Sequence, residues 1–146
     1  MSNVLYDALI ARHATNNAVF LVLDDGTEVS FAAFAARMAQ LAHVLVQVGV
    51  TPGDRVIVQA PKLLDTIALY GAALQAGAVY LPLNTAYTKS EMKYFIEDAT
   101  PALVVCDARN KADLADICAG NAEILTLAAD GTGSLSTQAN DKPCLF

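Results

Sequence analysis

The sequence predicts an α/β protein with a mainly parallel sheet and packed helices, and three observations carry that expectation. Short apolar runs bounded by Gly, Pro or Asp alternate with amphipathic stretches of ten residues or more, the pattern that sets crossover helices between parallel strands. The 146 residues are 55% hydrophobic and 16% charged, apolar even beside soluble domains at about 45–50% and about 25%. A chain of this length can bury roughly 70% of its unfolded surface, so a substantial core is within reach.

Each element has its own signal. Asn3 is placed to cap a first helix to about His13, with Val4, Leu5, Ala8, Leu9 and Ile10 as its apolar face. Residues 19–23 are a short apolar run, Asp24-Asp25-Gly26 carries turn chemistry and residues 27–29 resume an extended pattern, which together predict a hairpin. Ser30 is a natural N-cap. After it Phe31, Phe34, Met38, Leu41, Leu45 and Val48 recur at steps of three and four until Gly49 ends the helix. Thr51-Pro52-Gly53-Asp54 forms a turn and residues 55–59 a buried strand that stops at Ala60-Pro61. A further helix runs from about Leu63 to Ala76 and is closed by Gly77.

Residues 79–83 are the next strand, with Pro82 near its end, where a missing backbone donor does least harm. Thr88-Lys89-Ser90-Glu91 reads as a capping box that starts a helix to about Ala99, broken by Thr100-Pro101. Residues 103–106 form another buried strand, 110–119 a helix and 123–127 a last strand, so the order is βαβαβαβ. From Ala128 the pattern is lost. Residues 129–143 are rich in Asp, Gly, Thr, Ser, Gln and Asn, and the expectation is an irregular connector. The organisation is thus an α/β portion over 1–127 and a connector over 128–146. Cys144-Leu145-Phe146, three apolar residues after a polar linker, look like the start of something more than a finished terminus.

Composition narrows the function. No stretch approaches the roughly 18 apolar residues of a membrane span. Residues 1–7 carry no Lys or Arg, so they lack the basic start of a secretory signal, and a cytoplasmic location is expected. A net charge of −6 argues against nucleic acid or an anionic membrane as partner. Cys106, Cys118 and Cys144 lack the paired spacing of a zinc or redox motif and read as reduced structural thiols. His13 and His43 have no nucleophile paired to them by spacing, and Asp24-Asp25 and Glu97-Asp98 read as solvated carboxylates. The nearest imitation of a phosphate loop, Asp130-Gly131-Thr132-Gly133-Ser134, lacks a lysine and a convincing following helix, so a turn is expected. No Gly-x-Gly-x-x-Gly joins a strand to a helix, which weighs against a nucleotide-binding oxidoreductase.

The run Gly77-Ala78-Val79-Tyr80-Leu81-Pro82-Leu83-Asn84-Thr85-Ala86-Tyr87-Thr88, followed by Glu91, Tyr94, Asp98, Pro101 and Val104-Val105-Cys106-Asp107, resembles the adenylate-forming enzymes. Upstream, Gly49-Val50-Thr51-Pro52-Gly53-Asp54-Arg55-Val56 is similar to the turn and strand those enzymes carry at the equivalent place. Within the family, the runs 80–88 and 104–107 look most like malonyl-CoA synthetases. Taken singly, each of these residues has a structural explanation; their joint order carries the resemblance.

The resemblance implies part of the large N-terminal domain of the acyl-adenylate-forming fold. It also implies a two-step reaction. A carboxylate attacks the α-phosphate of ATP to give acyl-AMP and pyrophosphate, and the thiol of coenzyme A then displaces AMP. The implied substrate is malonate or methylmalonate, and the implied cofactors of the intact enzyme are ATP, Mg²⁺ and CoA. Family members carry a Ser/Thr/Gly-rich loop ending in Lys-Gly, a Tyr-Gly-x-Thr-Glu segment, a ribose-binding aspartate and a lysine on a mobile domain, and none has a match here. The expectation is therefore an opening segment that is inactive alone, has no catalytic, cofactor-binding or metal residue to assign, binds no cofactor tightly and self-associates through exposed apolar surface. The alternative is a free-standing binding or regulatory module that shares the fold.

Overall fold

The computed structural model describes residues 4–146. The chain order is α1 (Val4–Leu9), β1 (Val19–Val22), β2 (Glu28–Ser30), α2 (Phe31–Gln47), β3 (Arg55–Gln59), α3 (Leu64–Ala76), β4 (Val79–Pro82), α4 (Lys89–Ala99), β5 (Leu103–Cys106), α5 (Lys111–Cys118), β6 (Glu123–Thr126) and α6 (Ser134–Asn140). β1 and β2 form a separate antiparallel hairpin, while the main sheet runs β4-β3-β5-β6 with every neighbouring pair parallel. The α/β class with its parallel sheet and packed helices is thus the observed one.

Strand alternation divides the core in two. Val56, Val58, Leu103, Val105 and Leu125 face α2, α3 and α6, where Met38, Leu41, Leu45, Leu69 and Leu135 are fully buried. Ile57, Val104 and Cys106 face the other way, toward Met92 and Ile96 of α4 and Leu114 and Cys118 of α5. The side chains follow the two-residue period of a sheet covered on both faces. The chain crosses from β3 to β4 through α3 on one face, then returns past β3 to β5 and on to β6 through α4 and α5 on the other. A reversal of direction with a change of face is what crossovers of a single hand require.

Caps act where the sequence places them. Ser30 accepts from the Ala33 N–H, and Thr88 and Glu91 close the reciprocal box, with the Thr88 N–H donating to Glu91 Oε2 at 2.8 Å. Gly77 ends α3 at φ 72°. The Leu63 side chain has no acceptor to offer α3; the cap works in reverse, the Leu63 N–H donating to Thr66 Oγ1 at 3.2 Å and that hydroxyl donating to Pro61 O at 2.6 Å.

Two expectations need correction. The proposed Asn3 cap lies outside the described residues, and of the face assigned to the first helix only Ile10, just past the end of α1, packs on the core. Val4, Leu5 and Leu9 are exposed, whereas Tyr6 and Ile10, four residues apart, pack on the core. The helix ends early at Leu9, and a 3₁₀ turn, Ala11–His13, follows. Second, residues 128–146 are not all irregular, because α6 forms and buries Leu135, Ser136 and Ala139 against the α2 side of the core. Polar anchors supply what its weak pattern lacks. Arg37 on α2 donates to both carboxylate oxygens of Asp65 on α3 at 2.7 Å each and to Asn140 at 2.9 Å, and Ser136 Oγ lies 2.9 Å from Asp65 Oδ2.

Among the described residues no helix is long and apolar enough to cross a membrane.

Candidate functional site

Ligands of open α/β sheets sit outside the carboxyl ends of the strands, at the point where strand order reverses. Here that point lies between β3 and β5, since the chain leaves β3 toward one edge and β5 toward the other. Gln59 closes β3 there and is only 3% exposed. Its Nε2 donates to the carbonyls of Asn84 (3.2 Å) and Tyr87 (3.3 Å) in the β4–α4 loop, and its Oε1 accepts from Asn110 Nδ2 at 3.5 Å, ahead of α5. One side chain therefore ties together the ends of three strand–helix units. Tyr87 stacks on Phe95 of α4 with centroids 5.2 Å apart, and Lys89 pairs with Asp113 at 2.6 Å. Gln59, Tyr87, Lys89, Asn110 and Asp113, with Met92 and Leu114, line a cleft of about 60 Å³.

The chemistry of that cleft is orientation, not proton transfer. The hydrogen bond from Lys89 to the Asp113 carboxylate raises the lysine pKa, so this ammonium stays protonated and is no base. Beside the cleft Asp107 is held below the ordinary carboxylate range by the side chain and backbone N–H of Arg109, and stays ionised. No serine, threonine, cysteine or histidine lines the space.

The loop most like a phosphate cradle is otherwise engaged. The N–H of Thr132 donates to Asp130 Oδ1 at 2.9 Å, that of Gly131 to Ala128 O at 3.0 Å, and that of Ser134 to Thr126 Oγ1 at 3.0 Å. These donors are spent within the loop and on Thr126 of β6. A turn is observed, but it is tightly bonded and, against expectation, α6 follows it directly from Ser134; a Cβ on Gly133, at φ 144°, would collide with Thr126 O.

The other residues weighed in the sequence are scattered. His13 rests on Phe31 with centroids 4.9 Å apart; His43 Nε2 lies 2.7 Å from Leu145 O, and its ring meets Phe146 edge-on. Asp24 and Asp25 are exposed on the hairpin, the latter accepting from the Thr27 N–H, and Glu97 faces Lys93 at 3.7 Å. All three cysteines are free; Cys106 and Cys118 are buried and Cys144 is exposed. Burial pushes the Cys106 thiol up to about 11, well into its unreactive form. Among the described residues no group of three or more His, Cys, Asp or Glu is placed to hold a metal. Sequence reasoning passed over Gln59 and Asn110. The available signal was a glutamine closing an otherwise apolar strand.

Comparison with known proteins places this geometry. The AMP-binding enzyme family matches residues 9–144. Apo MatB from Rhodopseudomonas palustris superposes on 100% of the chain with a TM-score of 0.95 and 39% identity, the match covering 29% of that protein, and the ATP-bound form of MatB gives the same values. Enterobactin synthase component F of Escherichia coli K12 is 36% identical over 100 residues, 67% of this chain and 8% of that protein. The L-proline–[L-prolyl-carrier protein] ligase of Pseudomonas fluorescens is 30% identical over 106 residues, 73% of this chain and 21% of the ligase. The chain thus spans under a third of the length of each of these relatives. With nearly its whole length matched and a superposition that leaves no element out, the chain belongs to the AMP-binding enzyme family.

Proposed function

We propose that this chain forms the opening part of an ATP-dependent acyl-CoA synthetase that converts malonate, ATP and CoA to malonyl-CoA, AMP and pyrophosphate through an acyl-AMP. The observation that carries the proposal is the superposition of the entire chain on MatB at 39% identity. The family run 77–88 supports it by falling on β4 and on the loop that Gln59 holds at the reversal of strand order. Malonate is preferred over other acids because runs 80–88 and 104–107 look most like malonyl-CoA synthetases; methylmalonate is the nearest competitor. In this proposal residues 1–127 are the first α/β portion of the large N-terminal domain, and 128–146 lead, through α6, toward the nucleotide-binding loop. The enzyme is cytoplasmic.

The residues present do not fit the phosphates of ATP. The loop donors around Asp130 are committed and no lysine accompanies them, and among the described residues no group of three or more His, Cys, Asp or Glu is placed to hold Mg²⁺. No catalytic, cofactor-binding or metal-binding residue is therefore assigned within the chain. Its contribution is a scaffold whose strand ends present a rigid rim to the rest of the enzyme.

The test is direct. Purified chain mixed with ATP, Mg²⁺, malonate and CoA is expected to release no AMP above background; clear turnover overturns the reading. Isothermal titration separates the alternative of a free-standing binding module, which requires saturable binding of ATP, malonate or CoA to the chain alone.

A further inference from the structure

We propose that Arg37, Gln40 and His43 of α2 are positioning residues that fix the course of residues 140–145 and, through it, the place of the nucleotide-binding loop that follows in the enzyme proposed above. For the loop the inference rests on that reading; for the row of side chains it does not.

The three residues lie three apart along one side of α2, each step rising about 4.5 Å, and all are partly buried. Each holds a point farther along the tail. Arg37 Nη1 donates to Asn140 Oδ1 at 2.9 Å, Gln40 Nε2 donates to Lys142 O at 3.2 Å, and His43 Nε2 lies 2.7 Å from Leu145 O. A carbonyl can only accept, so His43 Nε2 carries the proton and donates it. The partners rise in number with the row, so the tail runs beside α2 in the same direction. Two of the three are main-chain carbonyls, and the row therefore holds the path of the chain whatever side chains that path carries.

The row is fixed from its buried end. Asp65 accepts from Nε and Nη2 of Arg37, and Nη1 of the same guanidinium donates to Gln40 Oε1 at 3.1 Å, which turns the Gln40 amide so that its Nε2 meets Lys142 O. The tail has no regular structure of its own to set its course. α6 ends at Asn140, residues 141–146 belong to no helix or strand, and Leu145 is 85% exposed. Cys144, Leu145 and Phe146 border a cleft of about 280 Å³ over the alanines of α2 without filling it. The Phe146 ring meets His43 edge-on, so it too is placed by the row.

Backbone ¹⁵N relaxation of the full chain reads the row directly. The heteronuclear NOE at residues 141, 142, 144 and 145 is expected to stand near that of α2, and to fall to that of a frayed segment in Gln40→Leu with His43→Leu. His43→Gln, which keeps a donor, retains the order, and Tyr94→Asp on the exposed side of α4 changes nothing. Arg37 is left intact because its loss strands Asp65. Urea midpoints within error of the parent confirm that the variants are folded. The loop is tested in a chimera in which this chain replaces the matching segment of MatB. There the double variant raises the KM for ATP at least about tenfold and leaves the KM for malonate unchanged; mere loss of folded enzyme lowers kcat and cannot give that split. A tail as mobile in the parent as in the double variant overturns the proposal, as does an active chimera whose KM for ATP ignores both substitutions. A parent chimera without turnover contradicts the enzyme reading and overturns the loop's part of the proposal with it, while the relaxation result still decides the row.

Discussion

Arg55 shows how much a single residue contributes beyond its place in a pattern. Within the run 49–56 it reads as a strand residue, yet its Nε donates to Ala99 O at 2.6 Å and its Nη2 to Thr100 O at 3.2 Å and Thr100 Oγ1 at 2.6 Å. It thereby places a cation on the C-terminal carbonyls of α4, where the helix dipole welcomes one, and helps hold Thr100 at its left-handed φ of 43°. Arg55→Met keeps the aliphatic stem and removes those bonds, so it is expected to cost about 1–3 kcal/mol, measured by urea unfolding. Gln59 is the same kind of residue at the other end of β3. Neither partner set was legible from sequence, because the partners named, mostly backbone carbonyls, come from segments 25 or more residues away.

At the scale of elements, legibility followed the source of stability. α2 has a serine cap, an apolar stripe and a glycine just past its end, α3 a glycine stop and α4 a capping box, and the sequence shows each of these. α6 and α1 draw on distant partners instead, so pattern alone missed the first and, Ile10 apart, chose exposed residues for the face of the second. The buried triad of Arg37, Asp65 and Ser136 holds α2, α3 and α6 together, and Asp65→Ala leaves a largely buried guanidinium without its carboxylate. The expected loss is about 3–5 kcal/mol in chemical unfolding, with faster hydrogen exchange in α6. Replacing the pair, Arg37→Met with Asp65→Leu, is expected to recover much of it.

The capping box on α4 gives a pH signature. The Thr88 backbone N–H and hydroxyl hold the Glu91 carboxyl below its ordinary range. A depressed pKa in the folded state adds stability that is present above the unfolded value and lost as pH falls through the folded one. Asp54, Asp107 and Asp130 are shifted the same way by their own turn and side-chain donors. The urea midpoint is expected to fall as pH drops from neutral through about 4, the usual carboxylate value, and Glu91→Gln is expected to flatten part of that decline.

For the whole molecule, the fold was legible because strands buried on both faces and alternating with helices leave few arrangements open. The site was not. A reversal of strand order depends on which strands become neighbours, and no local pattern in the chain states that. Residues 9–144, the span matched to the family, include the strand ends where the order reverses, and the loop donors that look suited to phosphate are used to close a turn. As a member of the AMP-binding enzyme family, this chain is proposed to serve as a structural segment of an adenylating enzyme. A chimera that replaces the matching segment of MatB with this chain tests it most directly, by malonate-dependent release of pyrophosphate from ATP. The account predicts turnover by the folded chimera and none by the 146-residue chain alone; a folded but inactive chimera, or turnover by the chain alone, would contradict it.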